Sequence, residues 1–240
     1  MSALRINKYF TELGFCSRRA ADRLIEDGRV RINGRVAVLG DHVTAADEVT
    51  VDGRAVVNRP RPVYLAYHKP VGVTCTTEPH VAGNILHAVG HPERIFPIGR
   101  LDKDSSGLIL LTNDGDIVNR ILRAEFGHER EYVVTVDRSF PPIFLHRLEG
   151  GVPVLGKKTM PCQTSRVDAV TFRIRLTEGR NRQIRRMCAA LGYRVVRLVR
   201  VRIMHIRLGD LPVGTWRELS SKERDELLIA VGLGEERAAS

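Results

Sequence analysis

Residues 99–115, GRLDKDSSGLILLTNDG, set a knot of charge directly against an unbroken apolar run. If residues 100–104 run extended, side chains alternate from face to face, so Arg100, Asp102 and Asp104 share one side. Leu108 to Leu111 then read as a buried strand, closed by the turn signal Asn113-Asp114-Gly115. Acids held at the edge of such a strand are either an ordinary charged turn with an Arg–Asp pair or a place where carboxylate chemistry is done. The pattern alone leaves both open.

Working outward, the same strand signal returns in VYLAYHK (63–69), REYVVTVD (130–137) and TFRIRLT (171–177). Between and after these lie helix-like segments, DIVNRILRA (116–124), PPIFLHRLEG (141–150), NRQIRRMCAALG (181–192) and SKERDELLIAVG (221–232). This interleaving is that of an α+β protein. There is no strand–GxGxxG–helix unit and no phosphate loop, so no nucleotide cofactor is expected.

Residues 1–58 read as a separate small domain and 62–240 as a larger one, with the proline-bearing Asn58–Pro62 stretch as the linker. In the small domain Ile6, Tyr9, Phe10 and Leu13 recur at helical spacing, with Gly14 placed to end the helix. Ser17 is placed to cap a second helix whose Ala21, Leu24 and Ile25 face inward and which Gly28 stops. Asn33-Gly34 then signals a hairpin between alternating strands, with Val36 and Val38 carrying the alternation on its far side.

The chain has 38 Lys+Arg against 28 Asp+Glu, a net charge of +10. Eleven arginines and a single acid, Glu178, lie between Arg173 and Arg207. That density demands either a polyanion or a set of carboxylates brought from elsewhere, and arginine suits bidentate phosphate contact, so nucleic acid is the favoured partner. Aromatic residues make up only 5%, too few for a base-stacking platform. No apolar stretch approaches a membrane span, and MSALRINKYF lacks the apolar core of a secretion leader, so a cytoplasmic chain with no membrane partner is expected. Cys16, Cys75, Cys162 and Cys188 are scattered, without metal-binding spacing. His87 and His91 have i,i+4 spacing, but Gly90 and Pro92 interrupt the helix that would make them a metal pair.

The GRLDKDSSGLILLTNDG run closely resembles the catalytic motif of the RsuA-type branch of pseudouridine synthases, bacterial enzymes that isomerise uridine in ribosomal RNA. EREYVVTV (129–136) resembles the tyrosine motif of that family, the 178–219 segment beginning EGRNRQIRRM its C-terminal motif, and the first sixty residues the S4 RNA-binding domain. GRLDKDS, ILRAEFGHEREY and RIMHIRLGDLPVGTWREL are most similar to the members acting on large-subunit rRNA. The resemblance implies a catalytic domain built on a mixed, mainly antiparallel sheet flanked by helices. It puts the catalytic carboxylate at Asp102, the active-site tyrosine at Tyr132, and at Arg185 an arginine that keeps Asp102 ionised. Lys8, Arg18, Arg19, Arg23, Arg100, Arg180, Arg182 and Arg186 become the RNA contacts. It further implies no cofactor, no metal, a monomer, and large-subunit rRNA as substrate, with small-subunit rRNA, tRNA or an inactive S4-type assembly protein as alternatives.

Overall fold

In a computed structural model, residues 3–56, 61–78, 80–122 and 127–234 are described. Residues 58–60 of the expected linker and 123–126 of the ILRAEFGHEREY segment lie outside them. The chain divides into two compact units, Met1–Pro62 with Asn113–Gly115, and Val63–Thr112 with Asp116–Ser240.

In the first unit, helices Ile6–Glu12 and Arg18–Glu26 precede a small antiparallel sheet. The Ser17 hydroxyl accepts the Ala20 amide at 3.2 Å, the expected cap, worth about 1 kcal/mol. Ile6, Phe10, Ala21 and Ile25 close over Val30, Val49 and Val51, and Leu24 is partly buried beside them. Asn33 and Gly34 take φ +49° and +82°, the left-handed pair that a tight hairpin between Val30–Ile32 and Arg35–Val36 requires. The far arm departs from expectation, because the strand ends at Val36. Ala37 turns inward, while Val36 and Val38 are exposed.

The second unit is an α+β body on a nine-stranded sheet among the described residues. Seven of its strands run in the order Gln163–Arg166, Thr171–Leu176, Arg130–Val136, Val195–Ile203, Ser106–Thr112, Tyr64–Lys69 and Trp216–Glu218, and off this path Ile206–Arg207 pairs with Val195–Ile203 and Phe96–Ile98 with Ser106–Thr112. Every pairing is antiparallel except that of Val195–Ile203 with Ser106–Thr112. At this parallel contact Arg200 stands opposite Gly107. Gly107 has φ +111°, and a Cβ built there would run into the Arg200 backbone, so only glycine lets the two strands meet. Helices over Gly115–Leu122, Pro142–Glu149, Gln183–Ala190 and Ser221–Ala230 match the four helix-like segments. Phe144, Phe172, Met187 and Leu198 fill one core, and Leu108, Leu110, Ile117 and Leu227 another.

The long Val195–Ile203 strand was not expected. Two irregularities in its pairing with Arg130–Val136 break the alternation, and arginines at 197, 200 and 202 interrupt the apolar run. Carboxylates from distant segments neutralise much of the arginine run. Glu131, 6% exposed, takes Arg173 at 3.2 Å, Arg175 at 3.4 Å and Arg202 at 3.0 Å, while Arg202 also reaches Glu129 at 2.9 Å. Arg194 lies 3.8 Å from Asp137. Of the two ways to balance this charge, carboxylates account for these arginines.

Candidate active site

The segment carrying Asp102 is not extended. Lys103 and Asp104 form a turn, closed by the Ser105 amide donating to the Asp102 carbonyl at 3.0 Å. The single face expected for Arg100, Asp102 and Asp104 is therefore broken, because the chain must reverse before entering the Ser106–Thr112 strand.

Two segments pin this turn from either side. From 69–75, the Gly72 amide donates to the Lys103 carbonyl at 2.7 Å and the Leu101 amide to Cys75 Sγ at 3.3 Å. Lys69, 0% exposed at the end of its strand, donates from Nζ to the carbonyls of Pro70 and Ser105, each at 2.8 Å. Burial pulls the Lys69 ammonium below its ordinary pKa, an effect opposed by Cys75, Asp104 and Asp102. Sequence reading missed Lys69; a lysine closing an otherwise apolar strand was the available signal.

From the other side comes the Gln183–Ala190 helix and the loop before it. Arg182, in a left-handed conformation with φ +50°, begins this helix and forks onto Asp104 at 2.8 and 3.1 Å. Such a backbone state costs a non-glycine residue about 1–2 kcal/mol, and strain of this kind collects at functional sites. Arg182 also comes within 3.8 Å of Asp102. The guanidinium of Arg182, then Arg185, holds the Asp104 carboxyl below the usual carboxylate range.

The pairing expected between Arg185 and Asp102 is replaced by another arrangement. Arg185 donates to the Asp104 carbonyl at 2.9 Å, to Ser105 Oγ at 3.2 Å and to the Val195 carbonyl at 3.1 Å, and its Nε is 3.4 Å from the Asp104 carboxylate. The turn at 103–104 puts Asp104, not Asp102, in front of Arg185, which holds the loop while Arg182 is the cation nearest Asp102.

A cavity of about 500 Å³, within the range of ligand pockets, is lined by Asp102, Tyr132, Arg100, Arg182 and, farther in, Arg130 and Arg200. Tyr132 and Arg200 are cross-strand partners, and Arg130 lies two residues before Tyr132 on its strand, so one face of the sheet carries all three. Arg185 does not line it. Among the other expected RNA contacts, Arg18, Arg19 and Arg23 are exposed on the second helix of the first unit. Lys8 pairs with Glu12 at 3.1 Å. Arg180 is committed to Glu178 and to the Lys157 and Lys158 carbonyls, and Arg186 to Asn181.

Comparison with known proteins places this geometry. A family model described as RNA pseudouridylate synthase matches residues 63–190, and one for the S4 domain matches 4–55. The chain is 50% identical to the dual-specificity RNA pseudouridine synthase RluF of Salmonella typhi, over 94% of this chain and 79% of the relative. It is 38% identical to the ribosomal large subunit pseudouridine synthase B of Bacillus subtilis, over 91% and 93%. A crystal structure of a pseudouridylate synthase superposes with a TM-score of 0.69 at 29% identity, covering 93% of this chain and 99% of that one. Fold and sequence agree that this chain, an S4 domain followed by an isomerase domain acting on RNA, belongs to the RNA pseudouridylate synthase family.

Proposed function

We propose that the chain converts uridine to pseudouridine in large-subunit ribosomal RNA, with Asp102 as the catalytic carboxylate. The observation that carries this reading is the turn at 102–105. It sets Asp102 at a cavity of nucleotide size and is tied down by Lys69, Gly72 and Cys75 on one side and by Arg182 and Arg185 on the other. Fixed charge of this kind works because no reorganisation is needed when charge develops in the transition state.

The reaction breaks the N1–C1′ bond, turns the base and rejoins it through C5, with loss of the C5 proton. Asp102 meets the electron-deficient sugar, either as nucleophile at C1′ or as base for a glycal-forming elimination. Tyr132 stacks beside the base and assists loss of the C5 proton. Arg185 acts through the loop. The target uridine leaves its stack to enter the cavity. Lys8, Arg18, Arg19 and Arg23 of the 1–58 domain, with Arg100 of the 62–240 domain, grip phosphate, while Arg180, Arg182 and Arg186 shape the loop beside the cavity. The enzyme works as a single chain in the cytoplasm, where its substrate is made.

The Bacillus relative's name supports the large subunit, and "dual-specificity" in the Salmonella relative's name supports a second RNA such as tRNA. Mapping pseudouridine at single-nucleotide resolution in rRNA and tRNA from deletion and complemented strains tests this. Loss of a large-subunit pseudouridine, restored by the wild-type gene but not by Asp102→Ala, is expected. Loss confined to small-subunit rRNA would overturn the substrate, and no loss anywhere would favour a non-catalytic binding role.

A further inference from the structure

Arg200 is 3% exposed, and its guanidinium is held from two of its three nitrogens. Nε donates to the Leu108 carbonyl at 2.7 Å and Nη1 lies 3.5 Å from the Arg100 carbonyl. Nη2 is buried with no hydrogen-bond partner among the described residues. A buried, unmatched donor is costly, and more so on a cation, so its persistence at a cavity wall points to an acceptor that arrives with the substrate.

The surroundings say which acceptor. Among the residues lining the cavity with Arg200 are Ile98, Leu110, Ile121 and Ile203, which suit the faces of a flat ring. A backbone phosphate has chain on both sides and must keep a path to solvent, whereas the base is the free end of a flipped nucleotide. The carboxylates nearby are otherwise engaged: Asp102 and Asp104 answer to Arg182, Glu178 to Arg180, and Glu131 to Arg173, Arg175 and Arg202.

We infer that Arg200 Nη2 donates to the O4 carbonyl of the target base, making Arg200 a specificity-determining residue that admits uracil and rejects cytosine. This rests on the cavity being the pocket for the flipped nucleotide. Uracil presents a carbonyl at position 4, which accepts; cytosine presents an amine, which donates. A guanidinium has only donors, so against cytosine both groups go unmatched. When the N1–C1′ bond breaks, its electron pair leaves with the base and spreads onto N1, O2 and O4. The Arg200 contact is therefore stronger in the transition state than in the ground state.

The test titrates the full chain with uridine, 4-thiouridine and cytidine 5′-monophosphates by saturation-transfer NMR. Uridine monophosphate should bind about tenfold more tightly than cytidine monophosphate. The 4-thio compound, whose sulfur is a poor acceptor, should fall towards the cytidine value. Arg200→Met and Arg200→Gln, checked for folding by thermal melting, should bring uridine and cytidine compounds to within about twofold and lower kcat more than they raise KM for RNA. Equal binding of the two by the wild type, binding of neither, or a folded Arg200→Met that keeps the preference would each overturn the assignment. If both variants unfold, the 4-thio measurement on the wild type decides alone: an undiminished affinity refutes it. A uridine preference in a protein whose deletion removes no pseudouridine would leave this inference standing and defeat the enzymatic one.

Discussion

Arg182 and Asp104 form a forked ion pair, at 2.8 and 3.1 Å, across 78 residues of chain. It joins the turn behind Asp102 to the start of a helix far along the sequence. Arg182→Ala should lower kcat about tenfold or more through a looser turn, with KM changing less, as single-turnover kinetics would show. Because Arg182 depresses the Asp104 pKa, the pair's contribution to stability is complete above the unfolded value near about 4 and is lost as pH falls through the lower folded value. Melts of wild type and variant should converge in acid.

Asp102→Asn removes the carboxylate's charge while keeping its shape. Pseudouridine formation should fall by about a thousandfold or more, with RNA affinity within a few-fold of wild type, because phosphate contacts lie elsewhere. Turnover by purified variant on rRNA from the deletion strain, beside a filter-binding curve, checks both.

Only the resemblance of their motifs to the family singles out Asp102 and Tyr132, both of which line the cavity; the pattern of residues 99–115 by itself leaves Asp102 open. The turn could not be foreseen, since the alternation that put Arg100, Asp102 and Asp104 on one face takes no account of where the chain must reverse. Lys69 was hidden because its partner, the Ser105 carbonyl, is 36 residues away. The arginine run looked more available than it is because Glu131 lies 42 residues before Arg173 and 71 before Arg202. Long-range ion pairing leaves no local periodicity.

Lys69→Met strips two carbonyls of their donor inside the protein. Stability should drop by about 2–3 kcal/mol, and activity by more than the folded fraction accounts for, because the Ser105 end of the turn is released. Urea denaturation alongside initial rates would separate the two losses.

Gly107→Ala places a methyl group against the Arg200 backbone at φ +111°. The cost should be about 3 kcal/mol or more, seen as a fall in melting temperature of at least about 6 °C. Gly209→Ala, also at positive φ but with nothing within 4 Å, should cost about 1 kcal/mol.

Glu223 closes a capping box with Ser220 and takes both terminal nitrogens of Arg217, at 2.6 and 2.7 Å. Arg217 draws the Glu223 carboxyl down from 4.5 to about 2. A depressed carboxyl stabilises fully above its unfolded value and loses that contribution as pH drops from 4.5 to about 2. Glu223→Gln should therefore cost about 1–2 kcal/mol at pH 7 after solvent screening, and much less as pH falls through about 2. Denaturation at both pH values reads this directly.

The parallel contact between the Ser106–Thr112 and Val195–Ile203 strands has a consequence for biogenesis. Leu108 and Arg200, which it brings together, are 92 residues apart. At about 5–20 residues per second, a growing chain carries Asp102 for about 5–20 seconds before Arg200 has been made, and Arg182 and Arg185 come only shortly sooner. Synthesis thus withholds the second half of the active site until most of the chain exists. The cavity wall that Asp102 shares with Arg200 is therefore complete only when that one parallel seam closes.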